Sequence, residues 1–187
     1  FNVLVDSRAA SKITQGITTE ITGEGGSIAP GNEQMLADRK ATYDFFKVTQ
    51  DWRTLAEYFT RLERSTSAVN VGTFVGSGGL RDYVIGKADR PATADEITKM
   101  QALVAEAMQQ GALGVSSSLQ YIPNRFSSTD ELVALATTAA EHGGIYITHQ
   151  RSEGNRVMES LDEVIAIAER ANIPAEIWHL KTAYKAN

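Results

Sequence analysis

The chain has 187 residues, enough for one substantial core but short of the roughly 250 that a complete (β/α)8 barrel takes. Its 42% apolar and 22% charged residues are those of an ordinary globular domain, and a net charge of −5 without any Lys/Arg-rich run offers nucleic acid no electrostatic footprint. No stretch approaches the roughly 18 apolar residues of a membrane helix. With no cysteine, the segment holds neither disulfides nor thiolate metal sites. Neither nucleic acid nor membrane is therefore expected as a partner, and a cytoplasmic location is expected ahead of a periplasmic one.

In chain order, residues 6–15 read as a short helix with Asp6 as its cap and Ile13 pointing inward, stopped by Gly16. The β-branched run 17–22 reads as a strand and 23–31, "GEGGSIAPG", as a glycine-rich loop. A short helix is expected within 33–46. Another is expected over 51–64, where Trp52, Leu55, Tyr58, Phe59 and Leu62 recur at helical spacing behind a possible cap, Asp51. Residues 68–76 form a second strand, followed by a loop, "SGGLRDYVIG", with about one turn. The clearest helix is 93–111: Thr93 and Glu96 fit a capping box and Gly111 its C-terminal end. A strand at 112–119, a helix at 128–144 opened by Ser128 and Glu131, a strand at 145–149, a helix at 156–172 and a strand at 173–180 complete the pattern. Pro174 is tolerable only at the start of that last strand.

Strand followed by helix, repeated at about 30 to 45 residues, argues for parallel strands joined by crossover helices. A closed barrel and an open doubly wound sheet both fit, and periodicity does not separate them.

In either architecture ligands meet the C-terminal ends of strands. The polar residues at those ends are Glu24, Ser77, Tyr121 with Arg125, His149 with Arg151 and Glu153, and His179 with Lys181. His149 ends "YITH" and His179 ends "EIWH", so two imidazoles occupy matching positions one strand apart. With a nearby carboxylate they suit zinc, whose bound water can attack an amide carbonyl. The plainer reading of each is a hydrogen-bonded structural histidine. His142, at a helix end, reads as a surface residue. Glu24 lies in a glycine loop that lacks the Lys-Ser/Thr of a phosphate-binding loop, and its carboxylate opposes a phosphate there. It is either a solvated loop residue or a ligand. Arg151, Lys181 and Tyr121 can hold an anionic substrate group, Arg151 alternatively pairing with Glu153. Trp52 and Trp178 read as packing residues.

The blocks "GITTEITGEGGSIAP", "GALGVSSSLQYIPNRFSSTDELVALA" and "GGIYITHQRSEGNRVMESLDEVIAIAERANIPAEIWHLK" resemble the N-acyl-D-amino-acid deacylase (D-aminoacylase) family of the amidohydrolase superfamily, over essentially the whole chain. The resemblance implies α/β architecture: a partial (β/α)8 TIM barrel, about five central βα units of a metal-dependent amidohydrolase. It implies zinc, as one or two divalent ions, on His149 and His179. Glu24 stands where the family most often has cysteine, and Ser77 where it often has histidine. Tyr121 and Lys181 match the residues that hold the substrate carboxylate, with Arg151 supporting the mouth of the site.

Two family elements are not in the sequence: the His-x-His pair of the first barrel strand and the aspartate of the eighth that shuttles protons. Segments on both sides, or a complementing fragment, are expected to complete the site, and residues 1–187 alone are expected to be inactive. The implied reaction removes the acyl group from a small-molecule N-acyl-D-amino acid through a metal-activated water. A related cyclic amidase or dipeptidase, or a non-catalytic binding protein derived from the barrel, are the alternatives. Oligomeric state is not legible.

Overall fold

In the computed structural model, which describes residues 2–184, helices and parallel strands alternate along the chain. Two short helical turns, α1 (Asn2–Val5) and α2 (Ala10–Ile13), precede β1 (Thr19–Thr22). The crossover to the next strand carries α3 (Glu33–Phe45) and α4 (Leu55–Ser65). That strand is broken at Phe74 into β2 (Asn70–Thr73) and β3 (Val75–Gly76). Then follow α5 (Ser77–Val84), α6 (Ala94–Gln109), β4 (Gly114–Ser118), a 3-10 turn at Asn124–Phe126, α7 (Thr129–Glu141), β5 (Ile145–His149), α8 (Val157–Ala171) and β6 (Ala175–Ile177).

All pairings are parallel, with sheet orders β1-β2 and β3-β4-β5-β6. The chain changes partners at the break: Thr73 stands opposite Thr22, and Val75 opposite Val115. Counting β2 and β3 as one run, five strand positions lie side by side in chain order, as expected from the sequence. Among the described residues no helix is long and apolar enough to cross a membrane.

The core follows the helical periodicities. Met100 and Val104 of α6, Leu132, Leu135 and Ala136 of α7, and Ile167 of α8 are buried against Val115 and Tyr146 of the sheet. Trp52 is buried and lies 5.8 Å from Tyr43 and 5.5 Å from Tyr58, ring centre to ring centre, so it packs as expected. Trp178 sets its ring edge-on to Phe74 at 5.7 Å.

Several local expectations need correction. Residues 6–15 do not form one helix: Asp6 binds the Arg8 side chain instead of capping, and Ile13 is exposed. The cap of α4 is Thr54, in a full capping box with Glu57, and not Asp51. Residues 77–84 are helical directly from the strand end, although two glycines depress their helix propensity. The Thr93–Glu96 box on α6 is present as read. On α7, Ser128 caps the Glu131 amide, but the Glu131 side chain leaves the box to pair with Arg81. The three serines of β4 are all buried, and the Ser116 and Ser117 hydroxyls are satisfied: Ser117 bonds both Tyr146 (2.6 Å) and Thr148 (2.7 Å), and Ser116 bonds the 23–25 loop.

Candidate metal centre

Glu24 sits on the loop leaving β1, and backbone contacts fix that loop. Gly25 N donates to Ser116 Oγ at 3.0 Å, the same hydroxyl donates to Gly23 O, and Gly78 N donates to Gly25 O at 3.0 Å. A Cβ on Gly25 would lie 2.2 Å from Ser118 Cβ, and one on Gly76 would lie 2.5 Å from the Gly25 carbonyl. Only glycine at these points lets the β1 loop settle onto β3 and β4. Asn124 anchors the neighbouring loop, accepting from Ser118 N at 2.6 Å and donating to Ser77 Oγ at 2.8 Å. Ser77 is thus a buried bracing residue.

Three side chains meet above these strand ends. Glu24 Oε1 is 3.1 Å from His149 Nδ1 and 2.9 Å from His179 Nε2, and the two nitrogens are 2.8 Å apart. The imidazoles are nearly perpendicular, at 82°. His149 is the last residue of β5 and is buried; His179 lies two residues past the end of β6, which is shorter than the expected 173–180 strand. Two imidazole nitrogens and one carboxylate oxygen aimed at a common point form a donor set that lacks enough protons to satisfy itself but fits a divalent cation. Ligands of a tetrahedral zinc, with bonds of about 2.0–2.1 Å, stand roughly 3.3 Å apart, a few tenths more than the separations here. Glu24, His149 and His179 can therefore hold such an ion.

A second carboxylate lies behind the imidazoles. Glu153 Oε1 is 3.3 Å from His179 Nδ1, 3.7 Å from His149 Nε2 and 2.5 Å from Lys181 Nζ. Burial pushes its carboxyl up, but the Lys181 hydrogen bond and the neighbouring positive charge outweigh that and hold it below the ordinary value. Lys181 Nζ also lies 2.8 Å from His179 Nδ1. Tyr121 stands edge-on to His149, ring centres 5.3 Å apart, and is 60% exposed at the rim.

Arg151 is placed otherwise than expected. Its guanidinium grips Glu163 through Nε (2.8 Å) and Nη2 (2.9 Å) and donates to the carbonyls of Arg125 and Ser127. With every nitrogen engaged, it ties α8 to the 119–128 loop and neither binds Glu153 nor offers a free fork to an anion. His142 is exposed at the end of α7, as read.

No protein-family model matches the chain. A D-aminoacylase from Alcaligenes xylosoxydans xylosoxydans is 35% identical over 179 residues, covering 94% of the chain. Over 94% of its length the chain is similar to the N-acyl-D-amino-acid deacylases of the amidohydrolase superfamily. It spans 36% of that relative's length. Among deacylases of known structure, a D-aminoacylase solved for the functional role of its binuclear metal centre superposes with a TM-score of 0.88 at 34% identity, over 100% of this chain and 39% of that one. An N-acyl-D-glutamate deacylase from Bordetella bronchiseptica, complexed with zinc and a phosphonate mimic of the tetrahedral intermediate, gives 0.82 at 29% identity, over 94% of this chain and 37% of that one. The parallel βα succession is that of these deacylases, a TIM-barrel superfamily.

In sequence Glu153 is legible as a strand-end carboxylate and a candidate partner of Arg151, but its spacing of four residues from His149 gives no sign that it also reaches His179 and Lys181.

Proposed function

We propose that this chain is the central, metal-binding part of a (β/α)8-barrel deacylase that removes the acyl group from N-acyl-D-amino acids. The observation that carries this is the convergence of Glu24 Oε1, His149 Nδ1 and His179 Nε2 within 3.1 Å of one another on a deacylase fold. The zinc and binuclear centre of the solved relatives support zinc, as one or two ions, on these residues. When bound, zinc supplies Lewis acidity toward the acyl carbonyl and a water of lowered pKa.

The chain's own residues supply the rest. The two neutral imidazoles and the Glu24 carboxylate fix where the reacting carbonyl sits, and the carboxylate offsets part of the ion's charge. Lys181, beside His179, and Tyr121, beside His149, hold the carboxylate of the amino acid, one as a point charge and the other as a phenol. The substrate carboxylate competes with Glu153 for the Lys181 ammonium.

The test is metal content and turnover of the full-length gene product. One or two zinc ions per molecule, with release of free amino acid from N-acyl-D- but not N-acyl-L-amino acids, is the expected result. Protein that stays metal-free after zinc is resupplied, or zinc-loaded protein that cleaves no such amide, overturns the reading.

A further inference from the structure

The ring nitrogens of His149 and His179 that face away from Glu24 both lie close to one atom, Glu153 Oε1. His149 Nε2 is buried and has no hydrogen-bond partner, with Glu153 Oε1 3.7 Å away. His179 Nδ1 is 3.3 Å from the same oxygen. The Glu153 side chain is only 13% exposed, so water competes weakly for it.

A neutral imidazole carries one N–H and one lone pair. With the protons on His149 Nε2 and His179 Nδ1, both N–H groups lie on the Glu153 side of the rings, within 3.7 Å of Oε1 and one small side-chain adjustment short of bonding it, and both lone pairs converge with Glu24. Protons on both inner nitrogens would set two N–H groups against each other across 2.8 Å, and a proton on one of them makes that contact an N–H···N bond but leaves that ring without a lone pair for a cation. We propose that Glu153 is the positioning residue that sets the tautomer of both imidazoles, so that one carboxylate prepares two ligands for a divalent cation. The inference rests on the metal site of the deacylase reading and adds to it a residue that touches neither ion nor substrate.

Lys181 takes part in the same logic. An ammonium only donates, so its 2.8 Å contact with His179 Nδ1 is compatible only with the tautomer that cannot bind metal through Nε2. In the metal-ready state Lys181 donates to Glu153 and leaves Nδ1 to carry its own proton. Glu153 thus draws Lys181 off His179 and orients the ring. Carboxylates behind metal-binding histidines fix tautomer and ring orientation in this way, and their loss typically weakens metal binding 10- to 100-fold.

The experiment compares full-length wild type with Glu153→Gln and Glu153→Asp. Zinc affinity is read by competition with a chelating dye, and histidine tautomers by nitrogen-15 NMR of the zinc-free protein. Glu153→Gln keeps the shape but removes the charge; it is expected to bind zinc about 10- to 100-fold more weakly and to lose the fixed Nε2–H form of His149. Glu153→Asp, which keeps the charge one methylene further back, is expected to lose less affinity. Wild-type affinity in Glu153→Gln, or an unchanged His149 tautomer, overturns the proposal. If wild type itself binds no zinc, the deacylase reading fails, while the His149 tautomer comparison still decides the role of Glu153.

Discussion

Arg81 Nη1 and Glu131 Oε2 meet at 2.6 Å, and neither side chain has any exposed surface. The pair joins α5 to the start of α7 beside the end of the loop that carries Tyr121. Ser127 also donates to Glu131 at 2.9 Å, and Arg81 donates to the Arg90 carbonyl. Removing one partner strands the other charge in the interior. Glu131→Gln or Arg81→Met is expected to cost about 3–5 kcal/mol in urea unfolding, and replacing both with apolar residues of similar volume distinctly less. A single variant within about 0.5 kcal/mol of wild type would show that solvent reaches the pair.

Gly25→Ala is expected to damage the site without touching a ligand. The residue has φ +80° and a Cβ there would collide with Ser118. The β1 loop must lift, at a cost of roughly 1–3 kcal/mol, and Glu24 moves with it. Zinc affinity should therefore fall together with stability, whereas Gly143→Ala, also at positive φ but with nothing within 4 Å, should lower stability alone. Equal zinc binding in both variants would separate Glu24 from the loop.

Lys181→Met tests the carboxylate grip. A charged hydrogen bond of ~1.5–3 kcal/mol corresponds to a rise in KM of roughly 10- to 100-fold, with kcat little changed. A fall in kcat at constant KM would place Lys181 in the chemistry of the reaction instead.

Glu96 gives a pH signature away from the site. A bidentate pair with Arg90, at 2.7 and 2.8 Å, and the capping bond from Thr93 N hold its carboxyl down at about 2, against 4.5 ordinarily. Because the folded-state pKa is depressed, its contribution is present above 4.5 and is lost as pH falls toward 2. Wild type and Glu96→Gln should therefore differ in melting temperature at pH 6 and converge near pH 2. A gap that persists at pH 2 would rule out ionisation as its source.

Strands and the two site histidines were legible because β-branched runs bounded by glycine, and polar residues at their ends, are local signals. The helix at 77–84 was hidden because its glycines serve contacts, not propensity: a Cβ on Gly78 would lie 2.7 Å from the Gly25 carbonyl. Arg151 was misplaced because an arginine at a strand end looks the same in sequence whether it faces substrate or a helix. Its partner, Glu163, is 12 residues on, across a turn that no periodicity reveals. The Glu131 half of the capping-box signal failed for the same reason, since Arg81 is 50 residues away.

Glu24 lies 125 residues before His149 and 155 before His179, so the three donors come from the first, fourth and fifth strand positions. Each βα unit can gain most of its contacts from near neighbours, but the cluster exists only once the whole arc has closed in register. Closing so long a loop is slow relative to local pairing. During refolding, helix content should therefore recover before the ability to capture zinc does, and the delay between them times the docking of β1 against the rest of the sheet.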